Sequence, residues 1–220
     1  MRFSVVIPTY KRSEILRRCL EALWEQNFPK DNFEVIVVDD NGLDSQGDSE
    51  TEKVVRVFSE AKGEPSLRYL WQTHQGQGIA RNLGIQEAQG EIILFLGDDI
   101  FASPDLLKQH DELHLSHPRE NEAVLGHVDW HSELTVTPLM QFMVTGGAVF
   151  GKFGGHQFAY DLLRGKEEAD YRFFYTANIS LKRAFLKENK FDPWFSGYGW
   201  EDIEFGYRLM KNAGLKLYYE

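Results

Sequence analysis

Four short runs of apolar residues divide the first half of the chain: Phe3-Ser4-Val5-Val6-Ile7, Val35-Ile36-Val37-Val38, Leu67 to Trp71, and Ile92-Ile93-Leu94-Phe95-Leu96. Runs with no polar alternation suit strands covered on both faces. Between them the pattern changes to a helical period. Ile15, Leu16, Cys19, Leu20 and Leu23 form one stripe, with Ser13 as the expected cap. Further helices are predicted from about Glu50 to Ala61 and from Gly78 to Ala88, and Ser103-Pro104-Asp105 predicts another helix start. Alternating strand and helix units imply an α/β fold, a mainly parallel twisted sheet with helices on both faces in one Rossmann-like domain. Right-handed crossovers then bring the carboxyl ends of the strands to one edge, where ligands of open α/β sheets bind.

The second half is less regular. Ala123 to Val128, Phe174 to Ser180 and Leu215 to Tyr219 read as strands, Leu181 to Glu188 and Trp200 to Asn212 as helices, with Gly214 as the stop. Met140 to Tyr160 mixes glycines with aromatics and reads either as a mobile loop or short helix beside a ligand, or as an irregular packed segment.

Composition narrows the classes. The chain has 220 residues, 42% hydrophobic and 14% aromatic, enough for a packed core. Its net charge of −10 disfavours nonspecific binding to nucleic acid or an anionic membrane. A single cysteine, Cys19, excludes an intrachain disulfide and reads as a buried hydrophobe. No signal peptide or membrane-spanning run is visible, so the cytoplasm is the expected compartment, with peripheral association at the inner membrane face left open.

The candidate chemistry is acidic. Asp98 and Asp99 follow the fourth apolar run, and two adjacent carboxylates repel unless a cation neutralises them. A divalent ion of the Mg²⁺ or Mn²⁺ type, shared with a diphosphate, would do so; an acidic turn capping the next helix is the alternative. Asp39 and Asp40 repeat the arrangement after the second run, where an acid can accept from a nucleobase or ribose, or simply build an Asp-Asn-Gly turn. Tyr198-Gly199-Trp200-Glu201-Asp202 offers flat faces for a sugar ring and acids at a helix start, one of which can act as a general base. Gly76-Gln77-Gly78 precedes a helix bearing Arg81, a weak phosphate-binding signal. His110, His114 and His117 invite a zinc reading, but His110 and His117 share a face with Leu106 and Leu113, which suits packing.

Taken in order, Val-Val-Ile-Pro-Thr-Tyr-Lys-Arg at 5–12, Val-Val-Asp-Asp-Asn at 37–41, Gly-Ile-Ala-Arg-Asn-Leu-Gly at 78–84, Ile-Leu-Phe-Leu-Gly-Asp-Asp at 93–99 and Gly-Trp-Glu-Asp-Ile-Glu-Phe-Gly-Tyr-Arg-Leu at 199–209 resemble a family 2 glycosyltransferase of the GT-A fold. The resemblance implies an inverting transferase that takes a UDP-sugar or other nucleotide sugar to a carbohydrate or other hydroxyl acceptor, assisted by Mn²⁺ or Mg²⁺. It implies one domain, with residues 1–102 as the nucleotide-sugar half and 103–220 as the acceptor and catalytic half. Pro8, Thr9 and Tyr10 would line the base pocket, Asp40 or Asp39 would meet the uracil imide, and Arg81 would lie near the diphosphate. Asp98 would contact ribose and share the metal with Asp99. Asp202 would be the general base, Glu201 would orient the acceptor, and Tyr198, Trp200 and the 176–180 stretch would line its site.

Two features depart from the family pattern. Gly97 stands where Asp-x-Asp members carry an acid, and a metal-binding histidine often found after the last strand is not within the chain, which ends at Glu220. A sugar nucleotidyltransferase is disfavoured because Pro8-Thr9-Tyr10 replaces the glycine-rich basic loop it needs. A non-catalytic nucleotide-sugar-binding domain is the second alternative.

Overall fold

A computed structural model describes residues 1–42, 49–144, 158–197 and 199–219. The four apolar runs become β1 (Phe3–Thr9), β2 (Phe33–Asp39), β3 (Ser66–Trp71) and β4 (Ile92–Leu96), connected through α1 (Ser13–Trp24), α2 (Glu50–Lys62) and α3 (Gln77–Glu87). All four strands are mutually parallel in the order β3-β2-β1-β4, so their carboxyl ends share one rim. Strand parity then sorts the core. Val5, Ile7, Val35, Val37 and Leu94 pack with Leu16, Cys19 and Leu20 of α1 on one face. Val6, Ile36, Val38, Ile93 and Phe95 pack with Ala80 and Ile85 of α3 on the other. Each fully buried large side chain contributes roughly 1.5–3 kcal/mol, so sidedness of this kind is strongly enforced. Contact between α3 and β1 is close: a Cβ on Gly84 would sit 2.3 Å from Val6 Cγ1.

Chain beyond β4 forms α4 (Leu106–Ser116), β5 (Glu122–Leu125), α5 (Pro138–Val144), β6 (Glu168–Ala169), β7 (Asn178–Lys182), α6 (Arg183–Lys187), α7 (Glu201–Ala213) and β8 (Lys216–Tyr219). They complete an eight-stranded sheet in the order β3-β2-β1-β4-β7-β5-β8-β6. The sheet is mainly parallel, as expected, and its antiparallel pairs are gathered in this half. β7 runs antiparallel to both β4 and β5, β6 runs antiparallel to β8, and only β5–β8 is parallel. The result is a parallel half joined to a mixed half.

Several boundaries also differ from the pattern reading. Ser13 is the first helical residue of α1, and Arg12 holds the cap position without a side-chain cap bond. Helix α4 starts at Leu106, with Asp105 rather than Ser103 at its cap. The strand expected at 174–180 is shifted to Asn178–Lys182, because its register against β4 runs from Leu96↔Asn178 to Ile92↔Lys182. Phe173 and Phe174 precede it in and after a short 3-10 turn and fill the core instead. Pro8 fits within β1 because the ladder to β4 has already ended at Val6↔Phe95. Helix α7 does stop at Gly214, whose φ of 64° is left-handed. Of the glycine-rich stretch 140–160, residues 145–157 lie outside the described residues, while 138–144 form α5.

Candidate active site

The rim begins where β2 ends. Asp39 is buried, and its carboxylate accepts from the Asn41 amide (3.0 Å), Ser49 Oγ (2.6 Å) and Tyr69 OH (3.1 Å). Ser49 in turn caps α2 by accepting from the Thr51 and Glu52 amides, so Asp39 ties β2 to α2 and β3. Asp40 is buried as well. Gln72 Nε2 (2.7 Å) and the Gln75 amide (2.9 Å) meet its Oδ1, and the Gly76 amide (2.9 Å) and His74 Nδ1 (2.8 Å) meet Oδ2. The amides of Gln75 and Gly76, just before α3, are therefore directed at Asp40. Gly76 is required in this turn: its φ is 93°, and a Cβ would lie 2.8 Å from the Ser196 carbonyl oxygen. Tyr10 is 39% exposed and stacks on the His74 ring with centroids 4.4 Å apart, forming a flat aromatic edge above Asp40.

At the end of β4, Asp98 is buried and Asp99 half exposed. Thr9 Oγ1 donates to Asp98 Oδ2 at 2.7 Å, which places Thr9 against this acid. Burial raises the Asp98 pKa, and the Thr9 hydrogen bond and Arg12 charge oppose the rise. Arg12 forks across the pair, with Nη1 3.2 Å from Asp98 Oδ1 and Nη2 2.8 Å from Asp99 Oδ2. Lys11, left-handed at φ 54°, turns the chain between β1 and Arg12. Sequence reasoning had asked what cation neutralises this pair and missed Arg12. The signal available was a basic residue just beyond the first strand, inside the Pro-Thr-Tyr-Lys-Arg run.

The third corner is the start of α7. Gly199 (φ 93°) and Trp200 (φ 73°) are both left-handed; such a conformation is rare for a bulky residue and is retained only where the surroundings enforce it. This turn leaves Trp200 74% exposed and sends Glu201 inward. Glu201 Oε1 accepts from Arg81 Nη1 at 3.1 Å, with both side chains at least 95% buried. Arg81 Nε and Glu201 Oε2 are buried without hydrogen-bond partners. Burial lowers the Arg81 pKa, and Glu201, Asp202 and Asp98 oppose that fall through their charge. Asp202 is mostly buried, and its pKa is pushed up to about 6, first by desolvation and then by the Glu201 charge. Arg81 is thus held by α7 in this state, and its charge interacts with the acids of β4 and α7 alike. Next to it, Asn82 exchanges two 2.9 Å hydrogen bonds with the Phe191 backbone, fixing the loop that leads to α7. Tyr198 lies outside the described residues.

The histidines have a structural explanation. His110 and His114, not His117, face inward: His110 bonds Ser180 Oγ (2.7 Å) and Asn178 Oδ1 (3.0 Å), and His114 Nε2 bonds Ser180 Oγ (2.8 Å). Burial pushes their pKa values down, to about 4 for His110 and about 2 for His114. His117 stacks on Tyr218 with ring centroids 3.5 Å apart. A cavity of about 1090 Å³ opens beside α4, lined by residues that include Asp99, Phe101, Leu106, Trp130 and His131. Asp99 is the residue this cavity shares with the acidic rim.

Among the described residues no group of three or more His, Cys, Asp and Glu is arranged to hold a metal. Asp98 and Asp99 supply oxygens of the hard type Mg²⁺ and Mn²⁺ prefer, and a six-coordinate ion of this type takes its other ligands from phosphate oxygens and water. The pair therefore fits an ion carried with a diphosphate better than an ion bound by protein alone. No helix among the described residues is long and apolar enough to cross a membrane.

A twisted sheet with a parallel half, helices on both faces and acids converging at the strand ends is the GT-A glycosyltransferase fold. The chain belongs to Glycosyl transferase family 2, whose profile matches residues 4–183. It is 32% identical to validoxylamine A glucosyltransferase of Streptomyces hygroscopicus subsp. jinggangensis over 94% of this chain and 50% of that protein. It is 28% identical to the chondroitin synthase of Escherichia coli over 96% of this chain and 32% of that one. Among solved structures, the mannosyltransferase PcManGT of Pyrobaculum calidifontis, in complex with GDP-Man and Mn²⁺, superposes with a TM-score of 0.71 at 21% identity, covering all of this chain and 54% of that one. TarS 1–349 of S. aureus in complex with UDP-GlcNAc gives 0.68 at 22% identity, covering 100% and 56%. The chain spans about half the length of the curated glucosyltransferase and of these solved chains.

Proposed function

We propose that this chain is the donor-binding and catalytic domain of an inverting glycosyltransferase that moves a sugar from a UDP-sugar to a hydroxyl of a carbohydrate or other polyhydroxylated acceptor. The observation that carries the reading is electrostatic. Asp202, pushed up to about 6, interacts with Arg81, whose charge also interacts with Asp98 on the opposite corner of the rim. A carboxylate with a pKa just below neutral is a more effective base than an ordinary one, because it is largely ionised at working pH yet still attracts a proton.

In this mechanism the acceptor hydroxyl gives its proton to Asp202 as its oxygen bonds to the anomeric carbon. The bond from that carbon to the diphosphate oxygen breaks on the opposite face, and UDP leaves. Asp99, with Asp98 beside it, would hold Mn²⁺ or Mg²⁺, which would supply positive charge against the departing diphosphate. Tyr10 and His74 offer the uracil a stacking face, with Pro8 and Thr9 at its edge and Asp40 setting the loop beneath. Asp98 is the ribose contact, and Asp39 supports the corner from behind. Exposed Trp200, with Tyr198, is the surface for an acceptor ring, and Glu201 orients it indirectly, through its hold on Arg81. Residues 1–102 then serve the donor and 103–220 the acceptor, within one domain.

The test is to incubate the protein with a panel of UDP- and GDP-sugars and hydroxyl acceptors, with Mn²⁺ or with EDTA, and to follow nucleotide release and product stereochemistry by NMR. Acceptor-dependent UDP release with an inverted anomeric centre, lost in EDTA, is expected. Retention of configuration would remove the single displacement, and full turnover in EDTA would remove the metal.

A further inference from the structure

We infer that Arg12 is the resident counter-cation of the Asp98–Asp99 pair, and that a divalent cation shared by the two carboxylates displaces its guanidinium from them. The inference rests on the metal-assisted reading above and adds to it a residue that sets when the metal can bind.

The geometry is specific. Three of the four carboxylate oxygens are engaged: Asp98 Oδ2 by Thr9 Oγ1, Asp98 Oδ1 by Arg12 Nη1 and Asp99 Oδ2 by Arg12 Nη2, at 2.7, 3.2 and 2.8 Å. The Arg12 fork takes one oxygen from each acid, and an ion shared by the two acids would compete for those oxygens. A guanidinium and a divalent ion repel, so an ion that draws on those same oxygens weakens the guanidinium's hold on them. Gly97 belongs to the same arrangement. A Cβ at that position would lie 2.9 Å from Asp99 Oδ1, so an acid there would press on Asp99 as it now stands. With Gly97, Asp99 lies beside its own chain, within reach of Arg12. Among the described residues, Arg81 is engaged on Glu201, Lys11 over the Tyr10 ring with Nζ 5.0 Å from its centroid, and Arg18, which lines the cavity with Asp99, on Glu133 and the Phe101 ring. Arg12 is itself half exposed, so its head group borders solvent.

The test reads metal binding, not turnover. Mn²⁺ is titrated into the wild type, Arg12→Gln, Arg12→Lys and Asp99→Asn, with and without UDP, and free Mn²⁺ is followed by electron paramagnetic resonance. Removing a half-exposed competitor of this kind should tighten Mn²⁺ binding about 5- to 10-fold in Arg12→Gln. Arg12→Lys, which cannot fork across both acids, should fall between, and Asp99→Asn should weaken binding. In parallel, the Arg12 Nε–H resonance of the wild-type protein is followed by NMR as Mg²⁺ and UDP are added, and it should shift towards an exposed, unpaired position. Equal Mn²⁺ affinity in wild type and Arg12→Gln would overturn the inference and leave the metal reading standing. Absence of Mn²⁺ binding in every protein, UDP included, would sink both. Should Arg12→Gln fail to fold, an Arg12 resonance unmoved at saturating Mg²⁺ overturns the inference by itself.

Discussion

Two corners of the same rim carry the same local signature, a pair of acids after a fully buried strand, and the protein uses them in opposite ways. At the end of β2, all four oxygens of Asp39 and Asp40 accept from this chain's own donors, drawn from β3, the loop before α3, and the residues flanking α2. At the end of β4 and the start of α7 the accounts are incomplete. Asp98 and Asp202 are pushed towards protonation by burial, and Glu201 Oε2 and Arg81 Nε have no partner. Saturated hydrogen bonding rigidifies and specifies a fold, while buried polar capacity left open is where a ligand or a proton can be accommodated. On that ground we propose the first corner as scaffold beside the donor and the second as the place of the chemistry.

This contrast can be broken in several ways. The largest effect expected is on turnover. Asp202→Asn should lower kcat by about 10²- to 10⁴-fold, the scale for losing a general base, while UDP binding measured by calorimetry survives. An unchanged kcat would move the chemistry elsewhere. Next in size, Asp40→Ala strands four donors, two of them backbone amides, and should cost about 2–4 kcal/mol in urea unfolding. Asp99→Ala, at the half-exposed end of the other corner, should change stability by no more than ~1 kcal/mol. Similar losses for the two would erase the distinction drawn here.

The acid of α7 supplies a third test, with an opposite sign. Its folded-state pKa of about 6 lies above the ordinary 3.8, so folding favours the protonated form. Stability linked to Asp202 is therefore full below pH ~4 and is lost as pH rises through about 6. Since Asn does not titrate, Asp202→Asn should be more stable than wild type by roughly 3 kcal/mol at pH 7.5, with the difference gone by about pH 3. A variant less stable at pH 7.5 would show that Asp202 contributes to the scaffold. A further effect, on binding and not on folding, belongs to Tyr10→Ala. Losing its stacking face should weaken UDP binding by about 1–2 kcal/mol and leave unfolding nearly unchanged, which calorimetry and urea titration can separate.

Local pattern carried the parallel half of the molecule. Runs such as Val35 to Val38, apolar at every position, admit few readings other than a strand covered on both faces, and their ends place Asp39, Asp40, Asp98 and Asp99 on one rim. The mixed half was less legible. The β7 strand is defined by its pairing with β4 and β5, from which nothing in Asn178-Ile179-Ser180-Leu181-Lys182 itself sets the starting residue. His110 and His114 read as possible ligands because the hydroxyl and amide they bond lie 66 to 70 residues away in sequence.

By itself, the sequence determined the layer architecture, the family and the identity of the acids at the strand ends, because burial periodicity and short motifs are local properties of the chain. Tertiary structure alone decided which of those acids are saturated and which keep open capacity. That depends on partners such as Arg12 across 87 residues from Asp99 and Arg81 across 120 from Glu201, and on how far burial strips water from each carboxylate. Desolvation and pairing are properties of the folded volume, and a linear pattern of residues does not contain them.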